Sequence, residues 1–295
     1  MHLHPIRLVD QSAAAPICQM CQRYCAIRAG QSGFCRAVIN RGGTLYSTIY
    51  GLIAEYGIDP IEKKPVRGYR PGTHVLSIGT FGCNLRCSWC QNWEIAFVDA
   101  HNPILADRYT PGYVVDMALK AGCAGIAWTY NEPSIWVDFI ADCAAAAHEA
   151  GLYTVLVTNG FFSPESRSLL QPLIDVYRVD LKNLDADIYQ KHCHIDSNQA
   201  VLDGIVAMHH AGIHVELVTV VMPELITPGH LDRMAEWIVE NLGSATPWHL
   251  TRYVPYAQLI DLRPTSREEL QQAAAIAHSA GMSRVYVGDW YEAGS

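Results

Sequence analysis

Apolar and polar positions along residues 75–295 predict strands that alternate with helices. Short apolar runs predict strands at residues 75–80, 125–130, 154–158, 176–181, 215–222, 248–254 and 285–288. Between them, apolar residues at helical spacing predict helices at 113–121, 135–150, 166–170, 201–211, 230–241 and 267–280. Strands and helices that alternate in this way form a parallel sheet. We therefore expect an α/β fold, a partial (β/α)6-type TIM barrel.

The first 74 residues have a different pattern. Residues 44–50 (TLYSTIY) predict one short strand. Residues 58–72 (IDPIEKKPVRGYRPG) contain three prolines, which indicates an extended connector leading to the barrel. Within it, Glu62, Lys63 and Lys64 are interpreted as a solvated turn, with contact to a ligand as the alternative. We therefore divide the chain into a small Cys-rich N-terminal segment with its connector, residues 1–74, and a barrel, residues 75–295.

Composition restricts the classes of protein to consider. Half of the residues are hydrophobic and the net charge is −8, which argues against broad binding to nucleic acid or to an anionic membrane. No apolar run reaches the roughly 18 residues that a membrane span needs, and the first residues contain no apolar signal-peptide core. Ten cysteines without such a signal favour a reducing compartment and metal ligation over disulfides. We expect a cytoplasmic protein.

Three cysteines directly after the first predicted barrel strand carry the clearest chemical signal. Cys83, Cys87 and Cys90 have the spacing C-x3-C-x2-C in the stretch GTFGCNLRCSWCQNW, residues 79–93. A [4Fe–4S] cluster normally takes four thiolates, so three would leave one iron open to a chelating ligand such as S-adenosylmethionine. Gly82 allows a tight turn into the loop, and Trp89 can shield the cluster from water. The alternatives are a zinc knuckle or three unrelated buried cysteines, but zinc sites usually pair two ligand elements.

A second cysteine group lies near the N-terminus. Cys18, Cys21, Cys25 and Cys35 are spaced C-x2-C-x3-C-x9-C, which suits either a tetrahedral zinc ion or an iron–sulfur cluster. Residues 11–54 contain four arginines and no Asp or Glu, so the segment could offset the negative charge of four thiolates around a metal. The alternative is a basic patch with buried cysteines.

The remaining three cysteines are interpreted as structural. Cys123 and Cys143 lie in apolar or alanine-rich helical surroundings and are expected in the core. Cys193 stands between two histidines, but adjacent side chains rarely face one metal, so it is interpreted as a surface or loop residue.

Polar residues follow the predicted strands at their carboxyl ends, where the chemistry of such barrels collects. We therefore expect these side chains to converge around the cysteine loop. They are Asn131 and Glu132 after the second strand, Asn159 after the third, Asp180 and Lys182 at the fourth, Met222 and Glu224 after the fifth, and His249, Arg252 and Tyr256 on or after the sixth. A structural ion pair at the barrel rim is the alternative for Asp180 and Lys182.

These motifs together resemble those of the AmmeMemoRadiSam-system radical SAM enzymes, which are related to pyruvate formate-lyase activating enzymes. The resemblance runs through most of the chain. It rests on the N-terminal cysteine group and on the stretches DPIEKKP, SIGTFGCNLRCSWCQN, TYNEP, TNG, VDLK and RYVPY.

The resemblance implies roles for individual residues. Cys83, Cys87 and Cys90 would be the ligands of the [4Fe–4S] cluster that binds S-adenosylmethionine. Asn131 and Glu132 occupy the place of the Gly-Gly-Glu element with which activases hold the amino group of S-adenosylmethionine, although the glycine pair is absent here. Asn159, Asp180 and Lys182 would hold the ribose and the carboxylate, with Asp180 on the hydroxyls and Lys182 on the carboxylate.

The resemblance also implies an activity. One electron would cleave S-adenosylmethionine to methionine and a 5′-deoxyadenosyl radical, which would abstract hydrogen from a substrate or add to it. The substrate would be a small molecule or a protein, as for a glycyl-radical-enzyme activase. A low-potential donor such as ferredoxin or flavodoxin would supply the electron, and the N-terminal cysteines could relay it. The alternative from another class is a non-catalytic, zinc-binding interaction protein.

Overall fold

The N-terminal segment forms two small antiparallel sheets in the structure, a computed structural model that describes residues 3–98 and 107–288. One sheet has the order β1-β5-β4 and the other pairs β2 with β3. The strands are β1 (His4–Pro5), β2 (Val9–Asp10), β3 (Ile17–Cys18), β4 (Val38–Arg41) and β5 (Thr44–Ser47). The short strand predicted over residues 44–50 is therefore confirmed in its first part as β5.

The central sheet has eight strands that follow one another in chain order from edge to edge. Each neighbouring pair is parallel except the first pair, which is antiparallel. All seven predicted barrel strands are present, within two residues of their predicted ends. The strands are β6 (Glu55–Pro60), β7 (His74–Gly79), β8 (Gly125–Trp128), β9 (Tyr153–Thr158), β10 (Val176–Asp180), β11 (His214–Val221), β12 (Trp248–Arg252) and β13 (Val285–Val287).

Helices connect the parallel strands, as the sequence pattern predicts. They are α1 (Trp93–Ala96), α2 (Pro111–Lys120), α3 (Val137–Glu149), α4 (Pro164–Leu170), α5 (Ala186–Cys193), α6 (Gln199–His210), α7 (Pro228–Leu242) and α8 (Arg267–Ser279). Six were predicted, and α1 and α5 were not. None of the helices that the structure describes has both the length and the apolar character needed to cross a membrane.

The expected extended connector is only partly correct. Its beginning lies in β6, which pairs antiparallel with β7 at the edge of the central sheet. The interpretation of Lys64 as part of a solvated turn is wrong, because Lys64 is 6% exposed and its Nζ lies 2.7 Å from Asp59 Oδ2. The division of the chain at residue 74 stays a prediction, although it cuts the hairpin that joins the two parts.

The rest of the connector closes the barrel at the amino ends of its strands. Ile61 and Val66 are fully buried in a small apolar cluster with residues near the strand starts. These partners are Val75, Ala127, Tyr153, Val155 and Val176. The opposite, carboxyl ends of the strands are therefore left to hold a functional site.

A buried carboxylate joins this closing segment to the sheet. Glu216 of β11 is fully buried and accepts hydrogen bonds from His214 Nε2 at 2.8 Å and His249 Nε2 at 2.6 Å. The expectation that His249 lies at the cysteine loop is therefore wrong. It also accepts from the backbone N–H groups of Arg67 and Gly68, at 3.0 and 2.7 Å. Although burial opposes ionisation, the hydrogen bonds from the two histidines lower the pKa of Glu216 to about 2.

This depressed pKa gives the first prediction. The pKa lies below that of the unfolded chain, so the carboxylate stabilises the fold above about pH 4.5, and its contribution is lost as the pH falls towards 2. We expect Glu216→Gln to lower the free energy of unfolding by about 3 kcal/mol at pH 7, with a smaller loss at pH 3. Urea unfolding at both pH values measures this. Glu236→Gln, on the exposed face of α7, is the matched control. An equal loss at both pH values would contradict the assignment.

Candidate functional site

The cysteine loop follows β7 at the carboxyl end of the sheet, where the sequence predicts it. Gly82 has φ +94°, so it turns the chain into the loop in a conformation that favours glycine. The backbone N–H of Leu85 donates to Cys83 Sγ at 3.4 Å, and the N–H of Cys90 donates to the Cys87 carbonyl at 3.1 Å. The three cysteines are partly buried on this one loop.

The thiols of the loop differ in acidity. Burial raises the pKa of Cys83, and burial together with Cys87 raises that of Cys90 to about 11. A hydrogen bond with Cys193, assisted by Lys182, lowers the pKa of Cys87 to about 7. Cys87 is therefore the thiol of the loop that ionises most readily, and a metal must displace the protons of the other two.

Asn131 braces the backbone on either side of the turn. Its Oδ1 accepts from the N–H of Thr80 at 2.9 Å, and its Nδ2 donates to the carbonyl of Gly82 at 2.8 Å. Both amide atoms therefore hold the cysteine loop to the end of β8.

Glu132 is 2% exposed and its carboxylate accepts hydrogen bonds from several groups of the chain. The donors are the N–H of Ser134 at 2.8 Å, the hydroxyl of Thr158 at 2.7 Å and the N–H of Asn159 at 2.8 Å. Burial raises the pKa of Glu132. The side chain of Ser134 also hydrogen-bonds to this carboxylate, so groups of the chain occupy about as many acceptor positions as a carboxylate has.

Asn159 links Glu132 to the cysteine loop. Its Nδ2 lies 3.9 Å from Cys83 Sγ and donates to Asn84 Oδ1 at 2.9 Å. Asn84 is fully buried and its own Nδ2 donates to Ser134 Oγ at 2.8 Å. Sequence reasoning missed Asn84, although its position directly after Cys83 was a signal that could have identified it.

Asp180 and Lys182 form a charged group at the end of β10. Lys182 Nζ lies 3.5 Å from Asp180 Oδ2, and Asp180 also contacts Arg178 Nη1. Although burial favours the neutral amine, Asp180 and Cys87 raise the pKa of Lys182. The ammonium group lies 6.0 Å from the ring centroid of Trp89, which is 7% exposed. The structure therefore brings Lys182, Trp89 and the cysteine loop together.

The interpretation of Cys193 as a surface or loop residue is wrong. It is the last residue of α5 and is fully buried. Its carbonyl accepts from the N–H of Arg86 at 3.2 Å, and the preceding carbonyl of His192 accepts from Ser88 at 2.9 Å. The cysteine loop and the end of α5 therefore bind each other through the backbone. Cys123 and Cys143 are buried, as expected.

The four N-terminal cysteines lie together. Cys18, Cys21, Cys25 and Cys35 line one pocket with Arg23 and Asn84 among the other residues. The pKa values of Cys18, Cys21 and Cys35 are raised, mainly by burial, and that of Cys21 is raised to about 12. Among residues 3–98 and 107–288, no three Cys, His, Asp or Glu side chains gather closely enough to hold a single metal ion, and this applies to both cysteine groups.

Known proteins resemble this chain in sequence. The family model of the Radical SAM superfamily matches residues 77–238, more than half of the chain. The uncharacterized protein MJ0808 of Methanocaldococcus jannaschii is 35% identical over 278 residues, which are 92% of this chain and 80% of that protein. The pyruvate formate-lyase 1-activating enzyme of Escherichia coli is 25% identical over 154 residues, 48% of this chain and 58% of the enzyme.

A solved structure shows the same fold. Streptococcus suis SuiB bound to S-adenosylmethionine matches with a TM-score of 0.56 and 12% identity, over 74% of this chain and 52% of SuiB. The expected α/β partial barrel is thereby confirmed. The family match and the structural match agree with the resemblance seen in the motifs, and the chain belongs to the radical SAM superfamily.

Proposed function

We propose that this protein is a radical SAM enzyme in which Cys83, Cys87 and Cys90 hold a [4Fe–4S] cluster whose open iron binds S-adenosylmethionine. The observation that carries the proposal is the placing of three thiols on one loop at the carboxyl end of the sheet, surrounded by polar side chains. When bound, the cluster and S-adenosylmethionine supply a 5′-deoxyadenosyl radical by one-electron cleavage, and that radical takes a hydrogen atom from the substrate.

The residues around the loop fit an anionic cluster. The N–H of Leu85 and the amide of Asn159 point at Cys83 Sγ, and hydrogen bonds to cluster sulfurs are among the means by which a protein sets the cluster's potential. The ammonium group of Lys182 lies near enough to Cys87 to favour its thiolate. The chain therefore supplies both the sulfur ligands and the positive partners that they need.

The polar rim would hold S-adenosylmethionine. Lys182 would bind its carboxylate, Asp180 would bind its ribose hydroxyls, and Glu132 would accept from its amino group. Asn131 and Asn159 would act mainly by positioning the cysteine loop, since their amides are already bonded to it. Trp89 would exclude water from the cluster.

The relation to activating enzymes supports a protein substrate, because the E. coli relative is, by its name, an activating enzyme of pyruvate formate-lyase. A small-molecule substrate is the second candidate. We further propose a low-potential donor such as ferredoxin or flavodoxin, a cytoplasmic location, and a second metal, zinc or iron–sulfur, at Cys18, Cys21, Cys25 and Cys35. The alternative is a non-catalytic, zinc-binding interaction protein, which metal analysis and an assay for 5′-deoxyadenosine distinguish from the enzyme.

The first experiment tests the cluster ligands. We expect anaerobically reconstituted protein, given dithionite and S-adenosylmethionine, to produce 5′-deoxyadenosine, and Cys87→Ala to abolish this and to lose about four irons per chain. The measurements are iron, sulfide and zinc analysis with chromatography of the nucleoside. Cys123→Ala, a buried cysteine outside both groups, is the control. Zinc alone without 5′-deoxyadenosine in the parent protein would favour the interaction protein.

The charged group at β10 gives a second prediction. If Lys182 binds the carboxylate of S-adenosylmethionine, Lys182→Met should weaken its binding by roughly 10- to 100-fold, the usual loss for a hydrogen bond between charged groups. Binding is measured by calorimetry and normalised to the iron content of each sample, because Lys182 also lies near Cys87. Lys191→Met on the exposed side of α5 is the control. Unchanged affinity would leave Lys182 as part of a structural ion pair.

The turn before Cys83 gives a third prediction. A Cβ at Gly82 would lie 2.5 Å from the carbonyl oxygen of Cys35, and φ there is +94°. We expect Gly82→Ala to destabilise the fold by more than about 1 kcal/mol and to lower iron uptake. Iron analysis and thermal unfolding measure both effects. Gly112→Ala in α2, where a Cβ would meet nothing within 4 Å, is the control. Normal iron uptake in Gly82→Ala would show that the turn is not required.

A further inference from the structure

The four N-terminal cysteines lie outside the family match and directly against the cluster loop. The carbonyl of Cys35 packs so closely on Gly82 that no side chain fits between them. The side chain of Asn84 hydrogen-bonds to Cys21, and its Oδ1 lies 3.9 Å from Cys83 Sγ. One buried amide therefore contacts a sulfur of each group, so the two sets of thiols are neighbours.

The two groups also share a local backbone arrangement. In the N-terminal group, the N–H groups of Met20, Arg23 and Ala37 donate to Cys18, Cys21 and Cys35. In the cluster loop, those of Leu85 and Asn92 donate to Cys83 and Cys90. In all five cases the donor is two residues after the cysteine. Such N–H groups favour the thiolate and so oppose the burial that raises the pKa of these cysteines, and the two groups share this backbone arrangement.

Two arginines lie between the groups. Arg86 donates to the carbonyl of Cys83 at 2.8 Å and, through its other nitrogen, to the carbonyl of Phe34 at 3.1 Å. Arg23 donates to the carbonyl of Asn84 at 2.5 Å. Both guanidinium groups are close enough to interact electrostatically with thiolates of both cysteine groups. This is the charge arrangement expected between two anionic metal centres.

We propose that Cys18, Cys21, Cys25 and Cys35 hold an iron–sulfur cluster that passes electrons to the cluster at Cys83, Cys87 and Cys90. A low-potential protein donor loses one electron, the N-terminal cluster gains and then gives up that electron, and the second cluster is reduced by one. No atom or proton needs to move in these steps. The role as a relay rests on the proposed function, whereas the presence of iron does not.

The position of the group favours iron over zinc. Zinc has no redox chemistry. An iron–sulfur cluster at thiols that neighbour the cluster loop could exchange an electron with a cluster held there.

The surface of the segment fits an acidic electron donor. Residues 11–54 carry Arg28, Arg36 and Arg41, which are exposed, and no acidic residue, in a chain whose net charge is −8. Cys25 and Cys35 are partly exposed in the same segment. A locally basic surface on an acidic protein attracts an acidic partner and orients it there.

The test uses the full chain, reconstituted anaerobically. We expect about eight irons per chain, on the four-iron stoichiometry of each cluster, and two reduced-cluster signals by electron paramagnetic resonance that broaden each other. The double variant Cys25→Ser/Cys35→Ser should retain about four irons and give one signal without this broadening. Reduced flavodoxin should no longer reduce the remaining cluster of this variant, whereas dithionite should still reduce it. Cys143→Ala is the matched control.

Each other outcome separates the hypotheses. About four irons and one zinc per chain would overturn the N-terminal cluster and leave the proposed function intact. Eight irons without magnetic broadening, or an unchanged ratio of flavodoxin to dithionite rates in the double variant, would overturn the relay. Eight irons without 5′-deoxyadenosine would overturn the proposed function and keep the second cluster. Should the double variant fail to fold, the metal content and broadening in the unaltered chain still decide.

Discussion

The geometry of the site depends on the hydrogen bonds that the buried carboxylate of Glu132 accepts. It joins the end of β8 to the end of β9 by accepting from the backbone of Ser134 and Asn159 and from the hydroxyl of Thr158. Fixing Asn159 in this way aims its amide at Cys83 and at Asn84. A carboxylate that is removed from water needs such donors, so the requirement to satisfy Glu132 also sets the geometry of the cysteine loop.

The barrel separates this site from the part of the structure that closes the sheet. At the amino ends of the strands, Ile61 and Val66 fill the interior, and Glu216 fastens the segment that carries them. At the carboxyl ends, the cysteine loop is held by Asn131 and by the end of α5. The contacts that close the barrel and the cysteine loop thus lie at opposite ends of one mostly parallel sheet, as expected for barrels of this kind.

The sequence predicted most helices and strands of the barrel, but it placed the beginnings of several helices too late. The predicted helices at residues 113, 166 and 230 begin two residues late, because Thr110, Ser163 and Thr227 cap α2, α4 and α7 and are each followed by a proline. Proline is favoured at the first helical position, so this signal was present and was not used. The strand β6 was missed because prolines suggested a connector, although proline is tolerated at the edge of a sheet.

The site was predictable where spacing along the chain decides it. The C-x3-C-x2-C loop and the polar residues after each strand lie where the order of strands places them. Cys193 and Asn84 were not recognised, because their roles depend on α5 and on the N-terminal segment packing against the loop. Those contacts join residues that are far apart in the sequence. Arg86 and Cys193 are more than a hundred positions apart, and Arg23 and Asn84 are about sixty apart. No local pattern records them.

The packing of the N-terminal segment explains why its cysteines belong with the barrel site. Ser163 and Ser166, at the start of α4, donate their hydroxyls to the carbonyls of Gln19 and Met20 at 2.5 and 2.6 Å. The same stretch that follows Asn159 therefore holds Cys21 and its neighbours in place. Since Glu132 fixes Asn159, a single buried carboxylate positions both cysteine groups through one loop. Any movement of that loop must alter the two groups together, so the structure couples their positions mechanically through the rim of the barrel.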